Sequence, residues 1–158
     1  MTSKRLTLTT LCAALSLAGC ATAADGPEAM PDRTTRPKMT PGRAAVVGLI
    51  NQYLRAEYEE SVSLLEIQKL AYFLQEAGEP LRLEFSPHYY GPYADNLRKA
   101  LRNIEGHYTR GMADGRNSPE TPLELLPGSI EAANAFLANE PDTLARLARV
   151  SALIEGFE

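Results

Sequence analysis

Between Val62 and Pro80 the sequence marks out a helix at both of its ends, and this bounded helix limits what the rest of the chain can do. Ser63-Leu64-Leu65-Glu66 is a capping box, in which the Ser63 side chain can accept from the N–H of Glu66 while Glu66 reaches back to Ser63. Val62 before the cap and Ile67 inside the helix supply a hydrophobic staple. Leu64, Ile67, Leu70, Ala71 and Leu74 form an apolar stripe, and Tyr72 and Phe73 widen it. A stripe that wide predicts burial on more than one side. Gly78 suits the left-handed position after the helix, and Pro80 prevents its continuation.

The neighbours follow from the same kinds of signal. Thr40 can cap a first helix with Pro41 at its first position, and Val46, Leu49, Ile50, Tyr53 and Leu54 recur at helical spacing until Glu57, Glu59 and Glu60. Leu81-Arg82-Leu83-Glu84-Phe85 alternates like a strand, and Ser86 to Pro92 reads as a loop. A third helix runs from about Tyr93 to Ile104, with Leu97, Ala100, Leu101 and Ile104 inward, and Gly106 ends it. Residues 109–122 read as a loop, and Leu123–Leu126 as a strand that can pair with 81–85. Pro127-Gly128-Ser129 starts a fourth helix burying Ile130, Phe136 and Leu137. Pro141 opens a fifth with Leu144, Leu147, Ala148, Ser151 and Ile154 on one side. The expected fold is mainly α: a compact bundle of about five helices with a minor two-stranded β ribbon, over residues 40–158.

Residues 1–24 form a leader. Lys4 and Arg5 precede an apolar run from Leu6 to Ala18, which ends in Leu17-Ala18-Gly19-Cys20, the layout of a bacterial secretory signal with a lipobox-like end and Cys20 as its lipidation site. The run is too short to span a membrane. The other reading of this leader is a spurious start. Residues 25–39, with Pro27, Pro31 and Pro37 among polar neighbours, read as a disordered linker.

The charge is uneven. Residues 1–39 carry five basic and three acidic side chains, whereas residues 40–158 carry eleven basic and seventeen acidic, which together give the net charge of −4. An acidic domain is poorly suited to wrapping a polyphosphate. Cys12 and Cys20 both lie in the leader, so the domain has no cysteine for a disulfide or a thiolate metal site. His88 and His107 are the only histidines, and no metal is expected. Neither a Gly-x-Ser-x-Gly elbow nor a phosphate-binding glycine loop with its lysine is present. From these absences the expectation is a non-catalytic chain with no cofactor and no small-molecule substrate. The densest polar-aromatic segment is His88, Tyr89, Tyr90, Tyr93, Asp95 and Asn96, followed by Glu105, His107 and Tyr108 beyond the third helix. Rigid aromatics with polar tips are good contact residues. Arg98, Lys99 and Arg102 leave open a second reading, a nucleic-acid-binding regulator acting through helix 93–104.

Several separated motifs carry a family resemblance. They are Leu65-Glu66-Ile67-Gln68-Lys69-Leu70-Ala71-Tyr72-Phe73-Leu74, Tyr90-Gly91-Pro92-Tyr93-Ala94-Asp95-Asn96-Leu97-Arg98 and Glu105-Gly106-His107-Tyr108, with Met39-Thr40-Pro41-Gly42-Arg43-Ala44 before them and Ile154-Glu155-Gly156-Phe157-Glu158 after. Together they resemble the C-terminal, toxin-neutralising domain of the DarG antitoxin of DarTG toxin–antitoxin systems. The resemblance implies a cytoplasmic protein whose partner is a DarT-type ADP-ribosyltransferase toxin that modifies thymidine in single-stranded DNA. It implies sequestration of that toxin by DNA mimicry. The contact residues would be His88, Tyr89, Tyr90, Tyr93, Asp95, Asn96, Glu105, His107 and Tyr108. In that family a macro domain removes the ADP-ribose. Here no macro domain precedes the linker, and family domains continue past Gly156-Phe157-Glu158, so a truncated form is expected. A membrane-anchored lipoprotein, held through Cys20, is the remaining alternative.

Overall fold

A computed structural model of the protein describes residues 35–112 and 118–155. The leader with Cys20 and linker residues 25–34 lie outside the described residues. Residues 35–39 lie against the domain. Arg36 stacks 4.5 Å from the centre of the Tyr108 ring, and the Tyr108 hydroxyl donates to the Pro37 carbonyl at 2.8 Å.

The described chain is mainly α, with five helices and two small sheets. Helix α1 (Pro41–Ala56) starts as its sequence dictates, with the Thr40 hydroxyl accepting from the Arg43 N–H. Ala44 to Ile50 are all buried, so α1 is enclosed on every side and forms the centre of the bundle. The sequence pattern predicts wide burial for the second helix and gives no such signal for the first. The difference lies in small residues: a Cβ at Gly48 would come within 3.0 Å of a Leu137 methyl and 3.2 Å of a Leu147 methyl. Neighbouring helices therefore close onto the α1 backbone itself.

Helix α2 (Leu64–Glu76) carries both halves of its capping box, with Glu66 N–H to Ser63 Oγ at 3.2 Å and Ser63 N–H to Glu66 Oε2 at 2.7 Å. Val62 and Ile67, the staple, are fully buried. Helices α3 (Asp95–Ile104), α4 (Ser129–Leu137) and α5 (Pro141–Glu155) complete the bundle. On α5 the buried face is Thr143, Leu147 and Val150, while Leu144 is exposed, so the face is rotated from the expected one. A buried carboxylate accounts for the rotation. Glu79, 3% exposed, accepts from the Thr143 hydroxyl at 3.1 Å and from Arg146 at 3.0 Å. A buried carboxylate left unpaired would cost several kcal/mol.

The strands differ from the expected ribbon. Strand β5 (Pro122–Leu125) pairs antiparallel with β1 (Val62–Ser63) and with β4 (Thr109–Arg110), in the order β1-β5-β4. Leu81–Phe85 joins neither sheet. Side-chain amides take the place of its strand partner. Gln75 on α2 donates to the Leu83 carbonyl at 3.0 Å and accepts from the Leu83 N–H at 2.7 Å. Asn96 donates to the Arg82 carbonyl at 3.0 Å and accepts from the Glu84 N–H at 3.2 Å. Ser86–His88 (β2) and Gly91–Tyr93 (β3), expected as a loop, form a hairpin with Tyr89 and Tyr90 at its tip. Pro87 stands opposite Pro92, next to the His88–Gly91 pair that closes the turn. That is a position where an antiparallel pair exchanges no hydrogen bond, so two missing N–H groups cost nothing. Gly91 at φ 122° lets the chain re-enter β3, a conformation that side-chain-bearing residues rarely adopt.

The buried amide of Gln68 fixes the junction of β3 and α3. Its Nε2 donates to the Ala94 carbonyl at 3.1 Å, and its Oε1 accepts from the Ala94 N–H at 2.9 Å. Ala94 is fully buried, so Gln68→Ala orphans a donor and an acceptor, each at a cost of about 1–3 kcal/mol. Gln75→Ala, at a half-buried contact that water can replace, should cost less, and Ser63→Ala about 1 kcal/mol. Urea unfolding should rank Gln68→Ala as the most destabilising of the three; equal losses would contradict this placement of the amide.

Candidate functional site

The hairpin and the first two turns of α2 enclose a pocket of about 230 Å³. Buried Leu64 and Gln68, with half-buried Leu65 and Pro119, form its floor, and exposed His88 and Tyr90, with half-buried Tyr93, form its rim. The rings are held in pairs: His88 and Tyr93 lie 5.5 Å apart with planes tilted by 38°, and Tyr89 and Tyr90 meet edge to face at 4.9 Å. Tyr90 is 52% exposed and Tyr89 is 89% exposed, which leaves two aromatic surfaces uncovered at the hairpin tip. Lys69 is exposed, and its ε-carbon passes 3.9 Å from where a Cβ on Gly91 would sit.

Of the residues singled out in the sequence, His88, Tyr90 and Tyr93 meet in this pocket and Tyr89 adjoins it. The others lie elsewhere or serve the fold. Asp95 opens α3 and is paired with Arg98 at 3.0 Å and Lys99 at 3.2 Å. The Lys99 hydrogen bond, opposed by burial and aided by Arg98, holds its carboxyl below the usual range. Asn96 is taken up by the Arg82 and Glu84 backbone. Glu105 is buried and accepts from the Gly111 N–H at 3.0 Å. His107 is half-buried, and Tyr108 is buried with its hydroxyl on Pro37. The 105–108 turn follows the far end of α3, which at ten residues is about 15 Å long. The nine residues thus form two groups rather than one face. Sequence reasoning missed Leu64, Leu65, Gln68, Lys69 and Pro119. The available signal was Gln68, a polar residue set between buried Ile67 and buried Leu70.

A second, acidic cleft of about 310 Å³ lies across the start of α2, lined by Tyr53, Glu57, Glu59, Ser61, Ser63, Glu66, Glu120 and Pro122. Glu66 is engaged on both oxygens, by the Ser63 N–H and by the Tyr53 hydroxyl at 2.8 Å. Burial, with the Glu66 hydrogen bond and the surrounding carboxylates, raises the Tyr53 hydroxyl far above its ordinary value, so it stays protonated as a donor. Four carboxylates make this cleft unsuited to a phosphate-bearing ligand, which the hairpin pocket does not repel in this way. Among the described residues no three His, Cys, Asp or Glu side chains gather as a metal cage requires, and no helix is long and apolar enough to cross a membrane.

No family model matches the chain. It is similar to curated proteins named DNA ADP-ribosyl glycohydrolase. One, from Thermus aquaticus, is 40% identical over 124 residues, which cover 78% of this chain and 33% of the relative. Those from Mycobacterium bovis and Mycobacterium tuberculosis are 37% identical over 137 residues, covering 77% of this chain and 38% of each relative. The chain therefore spans between about a third and two-fifths of the relatives' length. These relatives support the DarG-like link to ADP-ribosylation and correct what was built on it. They are named as enzymes, which overturns the expectation of a non-enzyme and of a non-catalytic, toxin-neutralising antitoxin domain without a macro domain. They give no support to a nucleic-acid-binding regulator, a signal-bearing protein or a lipoprotein.

The contacts of Glu66 set an acid dependence. Burial acts to raise its carboxyl, but the Ser63 and Tyr53 hydrogen bonds and the Lys69 charge outweigh burial and hold it below its ordinary value of 4.5. Folding then gains stability from this group above its unfolded value, and the gain is lost as pH falls through the lower folded value. Glu66→Gln should flatten the loss of stability on acidification below pH 4.5, measured as the urea midpoint against pH. An unchanged acid slope would show that Glu66 titrates alike in both states.

Proposed function

We propose that the chain serves a DNA ADP-ribosyl glycohydrolase, with the hairpin pocket holding part of ADP-ribosylated DNA. The observation that carries the reading is the 37–40% identity, over more than three-quarters of the chain, to proteins named for that activity. The pocket supports it from the side of the site. It is a concave, mostly apolar hollow with a few polar tips at its rim, the usual form of a small-molecule site. The proposal carries a cytoplasmic location with it, since that is where a bacterium keeps its DNA. Hydrolysis of this kind puts water in place of the bond from the ribose carbon to the DNA, and positive charge builds on the sugar as that bond breaks. A substrate ring gripped beside that bond fixes its position for attack, and such positioning accounts for a large share of many enzymes' rate enhancement.

The test is an oligodeoxynucleotide carrying one ADP-ribose, incubated with the full chain and followed by mass. The expected outcome is return of the unmodified oligonucleotide together with free ADP-ribose. Tyr93→Ala should slow this at least tenfold with the thermal melt unchanged. A modified oligonucleotide that persists with the parent chain would overturn the proposal.

A further inference from the structure

We propose that the hairpin pocket is a nucleobase site, which takes one base by its face and meets the adjoining phosphate with Lys69. The inference rests on the glycohydrolase reading for its substrate class and on the geometry for everything else. Size decides first. Pockets that enclose a drug-sized ligand run to about 300–1,000 Å³. At about 230 Å³ this one admits a single ring system and not the whole of an ADP-ribose. The lining decides next. The Gln68 amide, which lies in the floor, has its nitrogen and its oxygen both committed to Ala94. Each atom keeps a second N–H or lone pair, but Gln68 is only 1% exposed, so the floor offers a base almost no hydrogen-bonding edge. What remains is apolar surface below and the Tyr90 and Tyr93 rings at the rim, a platform for any base because every base has a π-face.

The phosphate partner follows by elimination at α2. A helix amino end is the usual place for an anion. Here the first N–H groups are taken, Leu64 by the Thr121 carbonyl, Leu65 by the Pro119 carbonyl and Glu66 by the Ser63 hydroxyl. Lys69, one turn further on, faces Glu66 and does not itself line the pocket, but its ε-carbon passes beside Gly91, which does, so its ammonium is within reach of a phosphate at that edge. One phosphate is also as much as the protein suits, since its net charge of −4 opposes tracking along a longer strand.

A base could come from the DNA strand or from the adenine of ADP-ribose, and calorimetry separates the sources. The full chain is titrated with short single-stranded homopolymers of each base, with an abasic strand of equal length, and with ADP-ribose. Binding of the homopolymers identifies a strand base, and binding of ADP-ribose alone identifies adenine; either supports the site. For the ligand that binds, Tyr90→Ala should lose about tenfold in affinity, and Tyr90→Phe should restore it. Homopolymers should bind within about threefold of one another and the abasic strand far more weakly. Lys69→Ala should lower the dependence of log affinity on log salt by about 0.7 for a strand. An abasic strand that binds as well as the others, a Tyr90→Ala chain that binds like the parent, or no binding by any of these ligands overturns the proposal. Tyr90 stands at an exposed hairpin tip, so its loss leaves the core intact. If base binding depends on Tyr90 while ADP-ribosylated DNA stays uncleaved, the glycohydrolase reading fails and the nucleobase site stands.

Discussion

Two glutamines of α2, seven residues apart and so about two turns apart on one face, hold the middle of this molecule in place. Each uses the oxygen and the nitrogen of its amide to bind the N–H and the carbonyl of a single facing residue, Ala94 for Gln68 and Leu83 for Gln75. That two-point contact is what a β-strand would offer. A helix cannot extend a sheet through its own backbone, because its N–H and carbonyl groups are spent within it. Side-chain amides make that contact instead, and Leu83 and Ala94, on either side of the hairpin, are held to α2 without a strand partner of their own. The hairpin is the part between them that folds back on itself, and the pocket is the space left between it and α2.

Much of the framework was legible because it rests on local chemistry. The capping box at Ser63, the proline start at Pro41 and the glycine stop at Gly78 are signals within a few residues of the ends they set. Elements that depend on distant partners were not legible. Leu81–Phe85 has the alternation of a strand, yet its partners are Gln75 and Asn96, and no propensity scale anticipates a side chain as a strand. The composition of Ser86–Pro92, with its two prolines and a glycine, reads as a loop. Only the register, which places the prolines opposite each other, shows that no donor is needed there. The face of α5 was displaced because a buried carboxylate just past the end of α2, Glu79, claims Thr143 and Arg146. The candidate site divides in the same way. Its rings stood out as a cluster, whereas Leu64, Leu65 and Pro119 looked like ordinary core and loop until the hairpin folded over them.

The expectation of a non-enzyme came from absent motifs, and such motifs mark only some chemistries. Nucleophile elbows and phosphate loops are short because a tight turn has to place one atom. Hydrolysis of a glycosidic bond needs carboxyl groups and a held substrate, and these can come from any part of a chain once it is folded. Their absence from local sequence therefore excludes very little. The relatives named as glycohydrolases share 37–40% identity with this chain, although the chain itself carries neither of those motifs.

Charge gives the two cavities at the start of α2 opposite characters, although they lie almost back to back. Leu64, Leu65 and Pro119 face the hairpin pocket, while their sequence neighbours Ser63, Glu66 and Glu120 line the acidic cleft. The backbone bond from the Leu65 N–H to the Pro119 carbonyl, at 2.9 Å, runs along the divide. Adjacent residues thus alternate between an aromatic hollow and a row of carboxylates, as a helix start and an extended segment both allow. The carboxylates on one side make phosphate unwelcome there, and the apolar floor on the other makes a ring welcome. A nucleotide has one part of each kind. On the proposed reading its ring enters the hairpin pocket, and its phosphate is kept out of the acidic cleft.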